Sequence, residues 1–230
     1  FNSQYTITTK TLTNLTVDCN ATGQVLSNLT YGGLKISGSI TGTSNTASVD
    51  GTFTVTGTFN PTSGTITMNN GSSISNSGTL FFPNLTIPNS ATVTTSSSFQ
   101  VKAMLTVGTS ATFTPSSGTI TMGDGSSISN SGTLTFNNLT ISNTATVTTS
   151  SSFSINGVLT LGNSASTFSP SAGAITMNNG ASISNPGNLT FKGLTIANNA
   201  TVTTSTGFSI GGTLTVGTGA TLSPSGGTIT

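Results

Sequence analysis

Histidine, tryptophan, arginine and glutamate are absent from this 230-residue chain. Its charges are Lys10, Lys35, Lys102, Lys192, Asp18, Asp50 and Asp124, a net charge of +1. Each absence excludes something. With no histidine there is no Ser-His pair, and neither a His/Cys/Asp metal cluster nor a phosphate loop can be found. The three aspartates are far apart in sequence, so no paired carboxylates for glycoside or lyase chemistry are obliged to converge. The expectation is therefore no enzyme and no cofactor. Near-zero charge removes the electrostatic footprint of a nucleic-acid binder and of a polybasic membrane patch. No apolar run approaches the roughly 18 residues that a membrane span needs. A lone cysteine, Cys19, cannot build a disulfide framework within the chain, and it reads as a small buried hydrophobe. The chain opens on Phe1 with no signal-peptide pattern, as a processed, exported chain or a fragment would.

What is present is serine and threonine, about two-fifths of all residues, together with many glycines and asparagines. The apolar residues are mostly Ile, Leu, Val and Phe, alternating with Thr or Ser as half-buried strands require. Ile66, Val93, Ile120, Val147, Ile175, Val202 and Ile229 return at steps of 27 residues, with a single step of 28. Each stands in Thr-(Ile/Val)-Thr, except that Ala174 precedes Ile175. The stronger identity has a period of 54 or 55, seen in Gly64-Thr-Ile-Thr-Met-Asn-Asn-Gly71, Gly118-Thr-Ile-Thr-Met-Gly-Asp-Gly125 and Gly173-Ala-Ile-Thr-Met-Asn-Asn-Gly180. A further column runs Leu80, Leu105, Leu134, Leu159, Leu189 and Leu214.

A strict period of this kind indicates a coil repeated along an axis. The expected fold is all-β, a parallel β-solenoid with coils of about 27 residues in 54-residue double-coil repeats, roughly eight coils in all. Four strands are expected in each coil. In one half they are 119–122, 127–129, 133–136 and 139–141; in the other, 146–149, 153–155, 158–161 and 167–169. Stacked coils would then place Ile66, Val93, Ile120, Val147, Ile175, Val202 and Ile229 in one core ladder. Residues 1–27 fit the pattern poorly and read as an N-terminal cap or docking segment, with the solenoid over 28–230 and continued or subunit-capped beyond. Asp124 falls where Asn70 and Asn179 stand in the other copies and reads as a solvated turn residue. Met68, Met122 and Met177, and Phe99, Phe153 and Phe208, read as core packing.

Eight asparagines begin Asn-x-Ser/Thr sequons: Asn14, Asn20, Asn28, Asn70, Asn84, Asn138, Asn188 and Asn199. In a chain so rich in Ser and Thr that number is no more than chance supplies. They are candidate N-glycosylation sites of an exported chain.

Phe136-Asn-Asn-Leu-Thr-Ile141, Ile155-Asn-Gly-Val-Leu-Thr-Leu161 and Phe168-Ser-Pro-Ser-Ala-Gly-Ala-Ile-Thr176 resemble the repeats of large secreted β-solenoid surface proteins. These include adhesin-like and filamentous-haemagglutinin-like proteins of bacteria and similar extracellular proteins of archaea. The resemblance covers about residues 28–230. It implies an extracellular, cell-surface setting and a role in extension, adhesion or filament formation, and it carries no active-site residues. The leading expectation is a structural subunit or segment of a surface filament or stalk, with itself as the main partner. A glycan- or receptor-binding adhesin and an ice-binding protein built on Thr-x-Thr ladders are the alternatives.

Overall fold

Threonine, valine and isoleucine favour extended backbone, and the gaps between their short runs hold glycine, asparagine, serine and proline. The computed structural model, which describes residues 12–230, turns this pattern into strands joined by tight corners and, among the described residues, no helix. Every ladder is parallel, and the strands form one continuous β-solenoid of about ten turns. Leu12–Cys19, inside the segment read as a cap, already pairs in parallel with Thr30–Ile36 as later coils do. Residues 1–11 of that segment lie outside the described residues.

The coil is shorter than the sequence period suggests. Ile66 lies between Ala47 and Leu85, and Leu85 lies next to Leu105. Likewise Ile120 lies between Phe99 and Leu139, and Leu139 next to Leu159. Turns are therefore about 20 residues apart, not 27, and a 54-residue repeat is not a double coil. Three strand segments, not four, make one turn. Thr79–Ile87 and Phe99–Val107 each bend midway and serve two sides: the first pairs with Thr58–Phe59 at its start and Thr65–Met68 at its end.

The single ladder expected from the 27-residue beat does not exist. Ile66, Val93, Ile120, Val147, Ile175 and Val202 are all buried, and Ile229 is partly so, but none is the register partner of the next. Val93 pairs with Phe113, Val147 with Phe168, Ile175 with Phe153 and Leu194, Val202 with Leu222, and Ile229 with Phe208. The leucine column fails in the same way, because Leu105 is covered by Ile128 and Leu134 pairs with Phe113. The physical reason is that a solenoid core asks only for an apolar side chain above another. It does not ask for the same one.

That core is continuous from Leu26 to Phe208. Within Thr119–Met122 the burial alternates, Ile120 and Met122 inward, Thr119 and Thr121 outward. An edge-to-face aromatic pair recurs in each repeat: Phe82 with Phe99 (centroids 5.2 Å apart), Phe136 with Phe153 (5.2 Å) and Phe191 with Phe208 (5.4 Å). Such pairs add about 0.5–1.5 kcal/mol beyond burial. Corners set the limits of the strands. Gly118 has φ of +79°, and a Cβ there would stand 2.8 Å from the Ser97 carbonyl carbon, so both conformation and space demand glycine. Leu214 and Val216 of Ser209–Val216, in the last stretch of the given sequence, are nearly half exposed.

Candidate functional surface

Each repeat builds the same polar corner. The strand Ser-Ile-Ser-Asn ends in Asn76, Asn130 or Ser184 followed by Asn185. The Asn76 N–H donates to Ser97 Oγ (2.9 Å), its Nδ2 donates to the Ser98 carbonyl (2.8 Å), and its Oδ1 accepts the Gly78 N–H (3.1 Å). Asn130 makes the same three bonds with Ser151, Ser152 and Gly132, and Asn185 with Thr206, Gly207 and Gly187. One asparagine thus ties its own turn to the coil above.

A buried threonine completes the stitch. Thr149, 3% exposed, donates Oγ1–H to the Ile128 carbonyl at 2.9 Å and accepts the Ser151 N–H at 3.0 Å. Thr95 does the same with Ile74 and Ser97, both at 3.0 Å. Thr204 accepts the Thr206 N–H and donates to the Thr206 carbonyl. A hydroxyl pointing into an apolar core is costly unless paired, and these are paired. Sequence reasoning passed over both sets. The signal was there: Ser-Ile-Ser-Asn and Thr-Val-Thr-Thr recur at the 54-residue period with their last residues unchanged.

Outside two of these corners lies a shallow, open groove. One is lined by Asn76, Gly78, Phe81, Phe99, Gln100 and Thr121 among others, and a second by Asn185, Gly187, Thr190, Phe208, Ser209 and Thr230. Neither contains an ionisable side chain. The deep asparagines spend their polar atoms on the backbone, which leaves hydroxyl and amide groups at the rim.

Among the described residues the few charges are scattered, with one ion pair between them. Lys102 lies over the Phe81 ring, 5.5 Å from its centre, and its Nζ donates to Asn60 Oδ1 and to the Pro61 carbonyl (3.2 Å). Loss of solvent lowers its pKa. It reaches across two coils and clasps them together. Asp18 accepts from Ser37 Oγ (2.6 Å) and pairs with Lys35 Nζ (3.1 Å). The Ser37 hydroxyl first, then Lys35, holds the carboxyl below its ordinary 3.8 against the opposing pull of burial. Asp50 accepts from Asn69 Nδ2 at 2.6 Å. Asp124 is an exposed turn residue that accepts the Thr146 N–H at 3.0 Å, as Asn70 and Asn179 accept those of Thr92 and Thr201. Half-buried Cys19 has its thiol pKa raised by burial and then by the Asp18 charge, which disfavours the reactive thiolate. Among the described residues no group of three or more His, Cys, Asp or Glu stands close enough to hold a metal ion, and no helix is long and apolar enough to cross a membrane.

The eight sequons separate by geometry. Asn14, Asn20, Asn28, Asn70, Asn188 and Asn199 are exposed. Asn84 and Asn138 are partly buried, and their Nδ2 atoms, where a glycan would attach, donate inward to the carbonyls of Gly64 (2.8 Å) and Gly118 (3.3 Å).

Threonine ladders run along the outer faces, but they are short. Thr67, Thr86 and Thr106 stack and then meet Ser129; Thr121, Thr140 and Thr160 stack and then meet Ser184.

No family model, curated protein or solved structure matches the chain.

Proposed function

We propose that this chain is a structural rod, a segment or subunit of an extracellular, cell-surface filament or stalk. The observation that carries the reading is the allocation of polar chemistry. The corner asparagines, Thr95, Thr149 and Lys102 each place hydrogen bonds on another coil, which stiffens a rod instead of receiving a substrate. A nearly uncharged surface suits lengthwise or lateral packing of copies, because it carries little self-repulsion. On this reading copies associate with one another, end to end by stacking of β-coils or side by side. The eight sequons fit an exported chain, and the six exposed asparagines are where glycans belong.

Electron microscopy of the purified protein, with light scattering across a concentration series, tests the reading. Rods that lengthen or bundle with concentration support it. Compact monomers at every concentration refute self-association.

One observation favours a second reading, glycan binding. The grooves beside Asn76 and Asn185 are neutral and rimmed by hydroxyl and amide groups, the chemistry that a neutral sugar chain meets. A glycan array without hits removes it. Ice binding gains no such support, because an ice plane needs long, uninterrupted ladders and these stop after three threonines.

A further inference from the structure

The sequence repeat and the coil do not match, and the mismatch has a simple ratio. One repeat holds eight strand segments: Thr65–Met68, Ser73–Asn76, the two halves of Thr79–Ile87, Thr92–Thr95, the two halves of Phe99–Val107, and Thr112–Phe113. Each segment pairs with the segment three places on. Thr65–Met68 pairs with the second half of Thr79–Ile87, Ser73–Asn76 with Thr92–Thr95, and Thr92–Thr95 with Thr112–Phe113. Eight segments wound three to a turn advance two and two-thirds turns. Each repeat therefore starts on a different side of the rod. Ile66 lies on the side of Leu85 and Leu105, Ile120 on that of Leu139 and Leu159, and Ile175 on that of Leu194 and Leu214. Ile229 then returns to the first side, after Val147, Phe168, Leu189 and Phe208.

The grooves obey the same rule. Every residue lining the first has its counterpart 109 residues on in the second: Asn76 and Asn185, Leu80 and Leu189, Phe99 and Phe208, Thr121 and Thr230. They are one surface feature met twice, on two sides.

We infer that the 54-residue repeat, and not the coil, is the module of this rod. Because eight segments separate equivalent points, removing or adding a whole repeat leaves each segment stacked on the kind of segment it meets now. Each added repeat carries its outer surface a third of a turn around the axis and about 13 Å along it, at about 4.8 Å per coil. Any partner that recognises the repeat surface is then held on three sides in turn, and not in a file along one.

Two deletions test this. Removing residues 65–118 joins Gly64 to Thr119, and Ile120 takes the place of Ile66 above Ala47. Removing residues 66–84 takes out one geometric coil, places Leu85 above Ala47 and strips Ser97 and Ser98 of Asn76. The repeat deletion is expected to melt cooperatively within about 3 °C of the intact chain, and the single-coil deletion about 10 °C lower. Duplication of residues 65–118 gives the complementary arm, with a maximum dimension in X-ray scattering longer by about 13 Å. Unfolding of the repeat deletion, equal stability of the two deletions, or no lengthening on duplication would each overturn the inference.

Discussion

Thr149 separates two explanations of this core. If burial alone mattered, Thr149→Val would be the better residue: it keeps the shape and gains apolar surface, while Thr149→Ser would lose a methyl group, about 0.8 kcal/mol. The hydroxyl, however, donates to the Ile128 carbonyl at 2.9 Å and accepts the Ser151 N–H at 3.0 Å, in a site 3% exposed. A net hydrogen bond contributes about 0.5–1.5 kcal/mol, and a buried partner left unpaired costs about 1–3 kcal/mol. Thr149→Val removes two bonds and strands an N–H and a carbonyl, for a total loss of about 2–4 kcal/mol. Thr149→Ser keeps both bonds. The expected order of stability is wild type, then Ser, then Val, read as urea midpoints followed by circular dichroism. Local unfolding of a stacked rod blurs a single midpoint, so hydrogen exchange at the Ser151 amide serves as a second probe. A valine variant as stable as wild type, or more so, would refute the stitching argument.

Other expectations follow from single sites. Ser72 Oγ is buried with no hydrogen-bond partner, whereas Ser126 in the next repeat bonds the Gly123 carbonyl and the third repeat has Ala181. Ser72→Ala should therefore raise the melting temperature or leave it unchanged, by up to about 1 kcal/mol, while Ser126→Ala should lower it. Thr144 sits at φ of +62°, a poor region for a β-branched residue, and Asn199 holds the equivalent place at +56°. Thr144→Asn is expected to stabilise by about 0.5–1 kcal/mol in thermal melts. The pH response should be slight. Asp18 has its pKa depressed in the folded state, so its contribution is present above the ordinary 3.8 and fades as pH falls through the lower folded value. A melting temperature level from neutral pH to about 5, with a small decline confined to acid, is expected, and Asp18→Asn should abolish that decline.

The strands themselves were legible in the residues. Expected segments 119–122, 133–136, 146–149, 153–155 and 158–161 match Thr119–Met122, Thr133–Phe136, Thr146–Thr149, Phe153–Ile155 and Val158–Leu161. Alternation of Thr with Ile or Val, cut by Gly and Asn, is a local signal and needs no knowledge of neighbours. The winding was not legible from identity, because like residues do not stack here: Phe99 covers one side of Ile120 and Leu139 the other. A better guide was the 20-residue spacing of Leu85 and Leu105, Leu139 and Leu159, and Leu194 and Leu214, which are direct register partners. Asp124 was readable as a turn residue, because asparagine replaces it in the other copies. The corner asparagines were not singled out, since their role depends on Ser97, Ser98 and their counterparts one coil away.

Paired cysteines test the winding most directly. In a Cys19→Ser background, Thr140→Cys with Thr160→Cys joins outward residues that are register partners 20 positions apart. Adjacent parallel strands stand about 4.8 Å apart, within the span a disulfide bridges. Thr121→Cys with Thr148→Cys joins residues separated by the 27-residue beat, which pair instead with Thr140 and Ser127. Rapid oxidation of the first pair in the folded monomer, with the second remaining reduced, is the predicted result. A disulfide in the second pair and none in the first would contradict the coil described here.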